Sequence, residues 1–543
     1  MKFNDIGCLF RCIASVLTVG AALDCAAGQL TVNVDAGADV NIADAVDIEK
    51  LISSGDDLVK TGGGRLVIDC SLEGYKGEIQ VKEGYLLAVH NKAFGTLDKG
   101  TVISSGATLE FKDDSKDGVL KFGKEQFTVS GTGVDECGAL RHVGTVKDQW
   151  CAVFERITLA GDTKFGGIPS SKGDYRRWDI RGSQGTFDMQ GHDLEIVCGF
   201  GITGATVVNP GNITVAGEKT YLYFEGSGVR MEGSAENTIT LRDGASLSSQ
   251  KFKPALQWSV VIDGGRLMEQ TFTGDYLNYG RIDGPVTITG KGATLHAPAH
   301  DCHWSFGGKV TVNGPVSLST GNSNRIAAIV LCDEEDMAVQ MQSYRDMRAN
   351  ADQDRLNNGR LRIKLCSKSG DVLPAYSGDL SNERLDMDVA GETGVALSGN
   401  HDKMKYRQFG GYVKLTGADK IHTYEDVVLV GDSTLDVAGA NTVDIHTNSM
   451  NVGGLYPSIA RLRISDTTLV TNWTDRVKGG SKSINVGPVR SVSSDGYKIS
   501  DYYKGRGILE ICDGAVVSNV LNIGYVDIEN NRALNSKIGR AHV

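Results

Sequence analysis

Residues 58 to 111 constrain the fold more tightly than any other stretch. They run Leu58-Val-Lys-Thr-Gly-Gly-Gly-Arg-Leu-Val-Ile68, then Gly77-Glu-Ile-Gln-Val-Lys-Glu-Gly-Tyr-Leu-Leu87, then Phe94-Gly95, then Gly106-Ala-Thr-Leu-Glu-Phe111. Short β-prone runs alternate with glycine turns, and no apolar pattern of helical period lies between them. A coil of such runs cannot bury its inward face alone. It can do so when the chain winds and each strand stacks on its equivalent in the next turn, about 4.8 Å away. The expected fold is all-β, a right-handed parallel β-helix (solenoid) with a short helical insertion.

Composition agrees with this reading. Glycine is abundant, at 69 of 543 residues, and proline is scarce, at 9. Glycine supplies positive φ at tight corners, whereas proline would delete ladder hydrogen bonds in strands paired on both sides. No Gly-X-Y period exists, which excludes collagen. The net charge of −11 comes from 67 acidic and 56 basic residues. This mixed, mildly acidic balance argues against nucleic acid as the main partner, since neutralising phosphates takes clustered Lys and Arg.

The chain divides into consecutive segments. Residues 1–28 read as an export signal: Lys2 and Arg11 precede an apolar run of about 12 residues, Cys12 to Leu23, and Ala26, Ala27 and Gly28 offer a cleavage site. The run is short for a membrane anchor; a buried first strand is the other reading. Asp24 before Cys25 disfavours a lipid anchor. Residues 29–57 are expected to cap the solenoid, with strand Leu30–Val34 and one or two helical turns between Ala43 and Ile52. Residues 58–332 and 359–537 are expected to be solenoid. Residues 333–358 form the helical insertion, where Asp333-Glu-Glu-Asp336 precedes Met337, Met341, Tyr344 and Met347 at helical spacing. Residues 538–543, Ile-Gly-Arg-Ala-His-Val, resemble a translated sequencing adapter, so the natural chain is expected to continue beyond Lys537.

A repeated corner punctuates the strands. It appears as Gly106-Ala-Thr-Leu109, Gly244-Ala-Ser-Leu247 and Gly292-Ala-Thr-Leu295, with looser forms at Gly161, Gly431 and Gly514. The glycine separations are 55, 83, 48, 139 and 83 residues, four of them near multiples of about 28. That is the size expected for one coil or repeat, but the separation of 48 breaks the pattern, so insertions are present or the period is partly chance, and no coil boundaries are drawn from it. Eight cysteines lie beyond the signal. Their wide spacing suggests no zinc knuckle or redox pair, and only Cys137 and Cys151 are close enough in sequence to clip a loop. The simpler reading is that most are small buried hydrophobes.

The motifs Thr61-Gly62-Gly63-Gly64, Tyr75-Lys76-Gly77, Phe94-Gly95 and Gly106-Ala-Thr-Leu109 resemble, in order, the autotransporter-associated β-strand repeat. Val129-Ser-Gly-Thr-Gly133, Ile157-Thr-Leu-Ala-Gly-Asp-Thr163 and Arg177-Trp-Asp-Ile-Arg181 are similar to passages of such passengers, and the match covers roughly a third of the chain. The resemblance implies a passenger exported by a Gram-negative-type bacterium to the cell surface or the medium. It implies a scaffold that carries no catalytic residues, with cell-surface, matrix or glycan partners met through loops. The family's outer-membrane barrel is not found in this chain, so an outer-membrane translocator or anchor is expected to be missing from it.

No catalytic, cofactor-binding or metal-binding residues are assigned from the sequence, and no cofactor is expected. Asp113-Asp-Ser-Lys-Asp117-Gly118 imitates a calcium loop, but Lys124 occupies the position of the bidentate glutamate. Cys302-His-Trp304, with His296 and His300, lacks a complete metal shell. The enzyme alternative is a polysaccharide-degrading β-helix, a lyase or glycoside hydrolase, which needs paired carboxylates on neighbouring coils. The expected role is a structural stalk or adhesin, with that enzyme and an inert spacer as alternatives.

Overall fold

The strand-sized runs stack as parallel ladders because each coil leaves one row of N–H and C=O groups for the coil above and one for the coil below. A computed structural model describes residues 20–26, 28–96, 99–112, 120–144, 150–169, 173, 175–250, 254–269, 280–297, 304–320, 327–332 and 337–351, and beyond these the strands between 361 and 533. Two compact units are present: Met1–Trp304 with Gly308–Ser323, and Ser305–Gly307 with Asn324–Val543. The protein is a β-solenoid of about 11 turns.

Three long parallel ladders run through the first unit, and a short one pairs Ala255–Leu256 with Arg281–Ile282. One climbs from Gln29–Val34 through Asp57–Thr61, Ile79–Val81 and Thr101–Ile103 to Thr206–Val208 and Arg230–Met231. The second climbs from Asp39–Asn41 through Arg65–Ile68 and Tyr85–Ala88 to Val286–Ile288 and Val310–Val312. The third begins later, at Leu120–Lys121, and passes Trp150–Phe154, Arg177–Arg181, Gly199–Thr203, Tyr221–Glu225 and Ser246–Gln250 on its way to Val316–Thr320. In the first coil, two short helices, Ile42–Ala45 and Ile48–Ser54, follow the second-ladder strand. The second of these is capped by the Asp47 carboxylate, which accepts from Lys50 N at 3.1 Å, and ends at Gly55 with φ of 64°.

The irregular spacing has a structural cause. Leu194 pairs with Ile213 and Thr163 pairs with Leu194, each one rung apart on the second ladder. Beside these rungs, Asp193 and Asn212 are separated by 19 positions in sequence, and Asp162 and Asp193 by 31. Coil length is therefore not constant. The glycine corners explain the illusion. Gly106, Gly244 and Gly292 share φ of 83°, 84° and 82°, a region that favours glycine. Yet Gly106 opens a second-ladder strand, while Gly244 and Gly292 open third-ladder strands. One turn chemistry serves two different corners, so distances between such glycines mix corner identity with coil number.

Strand alternation fills the interior. Ile213, Val215, Ile239, Leu241, Val260, Ile262, Val286 and Ile288 are all fully buried, in register on successive second-ladder strands. Lower down, nine rings form one aromatic core: Phe94, Phe111, Phe122, Phe127, Phe154, Phe165, Trp178, Phe187 and Phe200, with neighbouring centroids 4.7–6.4 Å apart. Each large side chain so buried stabilises the fold by about 1.5–3 kcal/mol. The Tyr-x-Gly and Phe-Gly motifs acquire a physical reason. Buried Tyr75 donates its hydroxyl to Asp56 O at 2.7 Å. A Cβ on Gly77 would lie 2.3 Å from that carbonyl, and one on Gly95 would lie 2.5 Å from Tyr75 O.

Side chains also bolt coil to coil outside the core. Asp162 Oδ1 accepts Asp193 N at 3.0 Å, Asp193 Oδ1 accepts Asn212 N at 2.8 Å, and Asn212 Oδ1 accepts Thr238 N at 3.0 Å. Each residue in this series caps the amide of a residue in the following coil. Cys198 is fully buried and its thiol is pushed up to about 12 by burial. Cys137 is a free thiol, with Sγ 3.6 Å from Thr108 Oγ1, so the proposed clip to Cys151 does not form.

In the second unit the strands again pair in parallel. Ala327–Cys332, Leu361–Ser367, Arg384–Val389 and the start of Met404–Leu415 form one series. Gly394–Leu397, the end of Met404–Leu415, Ser433–Ala438, Ile459–Ser465 and Arg506–Cys512 form another. Lys414, Asp436, Arg463 and Glu510 fall in one register column of alternating sign. Within the expected helical insertion, 333–358, the helix Met337–Ala349 buries Tyr344 and Met347. Residues 333–336, and the side chains of Met337 and Met341, lie outside the described residues.

Candidate functional site: a charged network on the third ladder

Alternation along Arg177–Arg181 sends Trp178 and Ile180 into the core and Arg177, Asp179 and Arg181 to the outer side. The next strand, Gly199–Thr203, presents two glycines in register with Arg177 and Asp179. The strand after it, Tyr221–Glu225, supplies Tyr223 and Glu225. The glycines make the arrangement possible. A Cβ on Gly201 would sit 2.2 Å from Asp179 Oδ1, and one on Gly199 would sit 2.7 Å from the Tyr221 ring. With both absent, the Arg177 side chain crosses the intervening coil.

Its guanidinium donates through Nη2 to Glu225 Oε2 at 2.7 Å and to Asp179 Oδ2 at 3.2 Å. Nε forms a close ion pair with Asp179 Oδ1 at 2.8 Å. The Arg177 Cζ lies 4.3 Å from the centroid of Tyr223, a cation–π distance. Tyr223 in turn donates to Gln250 Oε1 at 2.7 Å. Asp179 also accepts from Arg181 Nη2 at 2.7 Å and from Thr203 Oγ1 at 3.2 Å. Although it faces outward, Asp179 is 0 % exposed. Burial works against the charge of Arg177, but Asp179 and Glu225 outweigh it and hold its pKa above the ordinary arginine value.

Chemically, this is a closed arrangement. Two carboxylates face two guanidiniums, and Asp179 Oδ2 already takes three donors. A general base needs a lone pair aimed at substrate; Asp179 Oδ2 braces three coils, and Oδ1, which accepts no hydrogen bond, is buried against Arg177 Nε.

Other buried charges show the same character. Glu110 is bound by Arg65 Nε at 2.7 Å and Arg141 Nη1 at 3.1 Å. Lys60, fully buried, donates Nζ to the carbonyls of Thr61, Gly62 and Glu83 at 2.8, 2.7 and 2.9 Å. Burial lowers its pKa to about 8. Glu125 accepts from Thr101 Oγ1 at 3.0 Å, and burial raises it to about 7. Burial, with Arg176 nearby, lowers His142 to about 4.

The weighed motifs fare differently. Residues 113–119 of the calcium-like loop lie outside the described residues, as do Cys302, His303 and His300. Trp304 is a packed aromatic, 2 % exposed, donating Nε1 to Met268 O at 2.9 Å. His296 is shifted downward by burial and by Arg266. The Gly62–Gly64 turn is a stacking corner: a Cβ on Gly64 would meet Asp35 O at 2.1 Å. Among the described residues no group of three or more His, Cys, Asp or Glu could hold a metal, and no helix is long and apolar enough to cross a membrane. Sequence reasoning missed the Arg177 network. Its available signal was Gly199-Phe-Gly201 inside a strand pattern, which marks close approach of other groups. No family model and no curated protein matches this chain.

Proposed function

We propose that this chain is an exported β-helical passenger of the autotransporter type, a rigid stalk that presents loops to cells, matrix or glycans. The observation that carries the reading is the stack of parallel coils through the described residues of the first unit, with inward apolar side chains buried in register and the buried Glu110 and Arg177 ion-paired between coils. A rod of this kind resists bending along its ladders and tolerates variation at its corners. Residues 58–111, where the repeat resemblance lies, form consecutive coils in which the motif glycines Gly62, Gly64, Gly77 and Gly95 sit against the backbone of the preceding coil. The test is expression with its own N-terminus in a Gram-negative host. The expected result is a chain processed near residues 26–28 and recovered outside the inner membrane. An intact Met1 on cytoplasmic protein would overturn the export reading. Binding of the purified chain to a glycan or matrix array separates adhesin from spacer.

The Arg177–Asp179–Arg181–Glu225 network favours a second reading, a polysaccharide-degrading β-helix, because it brings carboxylates and arginines from neighbouring coils together. Activity on a polysaccharide panel that disappears in folded Asp179→Asn and Glu225→Gln chains would replace the stalk with the enzyme.

A further inference from the structure

The first unit begins on a strand edge. Gln29–Val34 pairs in parallel with Asp57–Thr61 on one side and antiparallel with Ala21–Ala26 on the other. Asp57 N donates to Gly28 O at 3.0 Å, and Asp35 N donates to Gly20 O at 2.8 Å. Counting by twos from those anchors, Leu30 and Val32 turn their main-chain groups to the next coil. Gln29, Thr31 and Asn33 turn theirs to Ala21–Ala26. Main-chain bonds hold the covering strand. Five of its six residues are exposed, and Leu23, its one large apolar side chain, is 42 % exposed. Gln29–Val34, by contrast, is anchored in the core by fully buried Val32 and Val34.

We propose that Ala21–Ala26 is a displaceable plug, and that without it two copies of this chain pair through Gln29–Val34. The plug runs antiparallel, which is the polarity a two-fold related copy would present to the same edge. Pairing centred on Thr31 sets Gln29 opposite the second copy's Asn33, so the edge N–H and C=O groups of all three residues are met. It also sets Leu30 beside the second copy's Val32 on the same side of the sheet. Each copy carries a net charge of −11, so the association should be weak and should tighten as salt screens that charge. The inference rests on strand pairing and not on export, although removal of an expected signal at 1–28 would take the plug with it.

The test uses the full chain. Ala22→Pro with Asp24→Pro removes two N–H groups that face Gln29–Val34 and should release the plug. The expected result is a concentration-dependent dimer by sedimentation that tightens with salt, with the Thr31 and Asn33 amides protected from hydrogen exchange only in the dimer. Adding Thr31→Pro, which deletes an edge donor and leaves the ladder to Asp57–Thr61 intact, should return the monomer. A double-proline chain that stays monomeric with rapidly exchanging Thr31 and Asn33 amides overturns the proposal. So does a dimer that survives Thr31→Pro.

Discussion

The two sides of strand Arg177–Arg181 differ in how they are held together. Inside, Trp178 touches Phe111, Phe154, Phe165 and Phe200, rings from several coils, through contacts that need only size and shape. Outside, Arg177, Asp179 and Arg181 depend on particular atoms of Thr203 and Glu225, and on two glycines that leave room for them. The inner side tolerates exchange of one apolar residue for another of similar volume. The outer side does not tolerate loss of a single partner, because the buried charges are then left unbalanced.

The sharpest break of that comparison is Asp179→Ala. It leaves two arginines to share Glu225 and should destabilise the first unit by roughly 3–5 kcal/mol, read as a drop in Tm and as faster amide exchange in Arg177–Arg181 and Tyr221–Glu225. Trp178→Ala should lose a comparable 3–5 kcal/mol or so, but Trp178→Phe should recover much of it, whereas Asp179→Asn should recover little. Equal recovery by both conservative changes would erase the distinction.

Buried titratable groups should give the next largest effect, in opposite directions. His142 has a folded pKa of about 4 against an ordinary 6.5. Across that window the unfolded chain binds more protons, so stability falls as pH drops from 6.5 to 4, by about 3 kcal/mol at most. Glu125 is raised to about 7 from 4.5. Here the folded chain holds the proton, so its contribution is lost as pH rises from 4.5 to 7. The two slopes largely cancel in the native chain. Glu125→Gln should expose the histidine slope and His142→Phe the glutamate slope, both read from Tm against pH. A flat profile in either variant contradicts the assigned burial.

Gly201→Ala should cost about 1–3 kcal/mol by crowding Asp179, while Gly106→Ala, which has open space around it, should cost only the strain of positive φ, about 1 kcal/mol. Thermal denaturation of the pair separates room-making from turn-making glycines. Smallest of all, Asp193→Ala removes one inter-coil acceptor and should lose about 1 kcal/mol, visible as faster exchange at the Asn212 amide.

The architecture was legible because alternation and glycine turns act locally: Ile79-Gln-Val81 or Val286-Thr-Ile288 announces its strand without help from distant residues. Corner identity was not legible, since Gly106 and Gly244 carry the same turn chemistry into different ladders. Nor was the Arg177 network. Arg177 and Glu225 are 48 residues apart, on third-ladder strands two coils apart, a separation that no local pattern announces. The helical insertion was seen from its Met and Tyr stripe.

Unequal coil lengths have a further consequence. Because the ladders hold their register through short turns and long ones alike, the interior imposes no quota on what each turn carries outside it. Lineages can lengthen, shorten or exchange one loop at a time and leave the neighbouring storeys undisturbed. An exterior of this sort can be rewritten far faster than the frame that bears it.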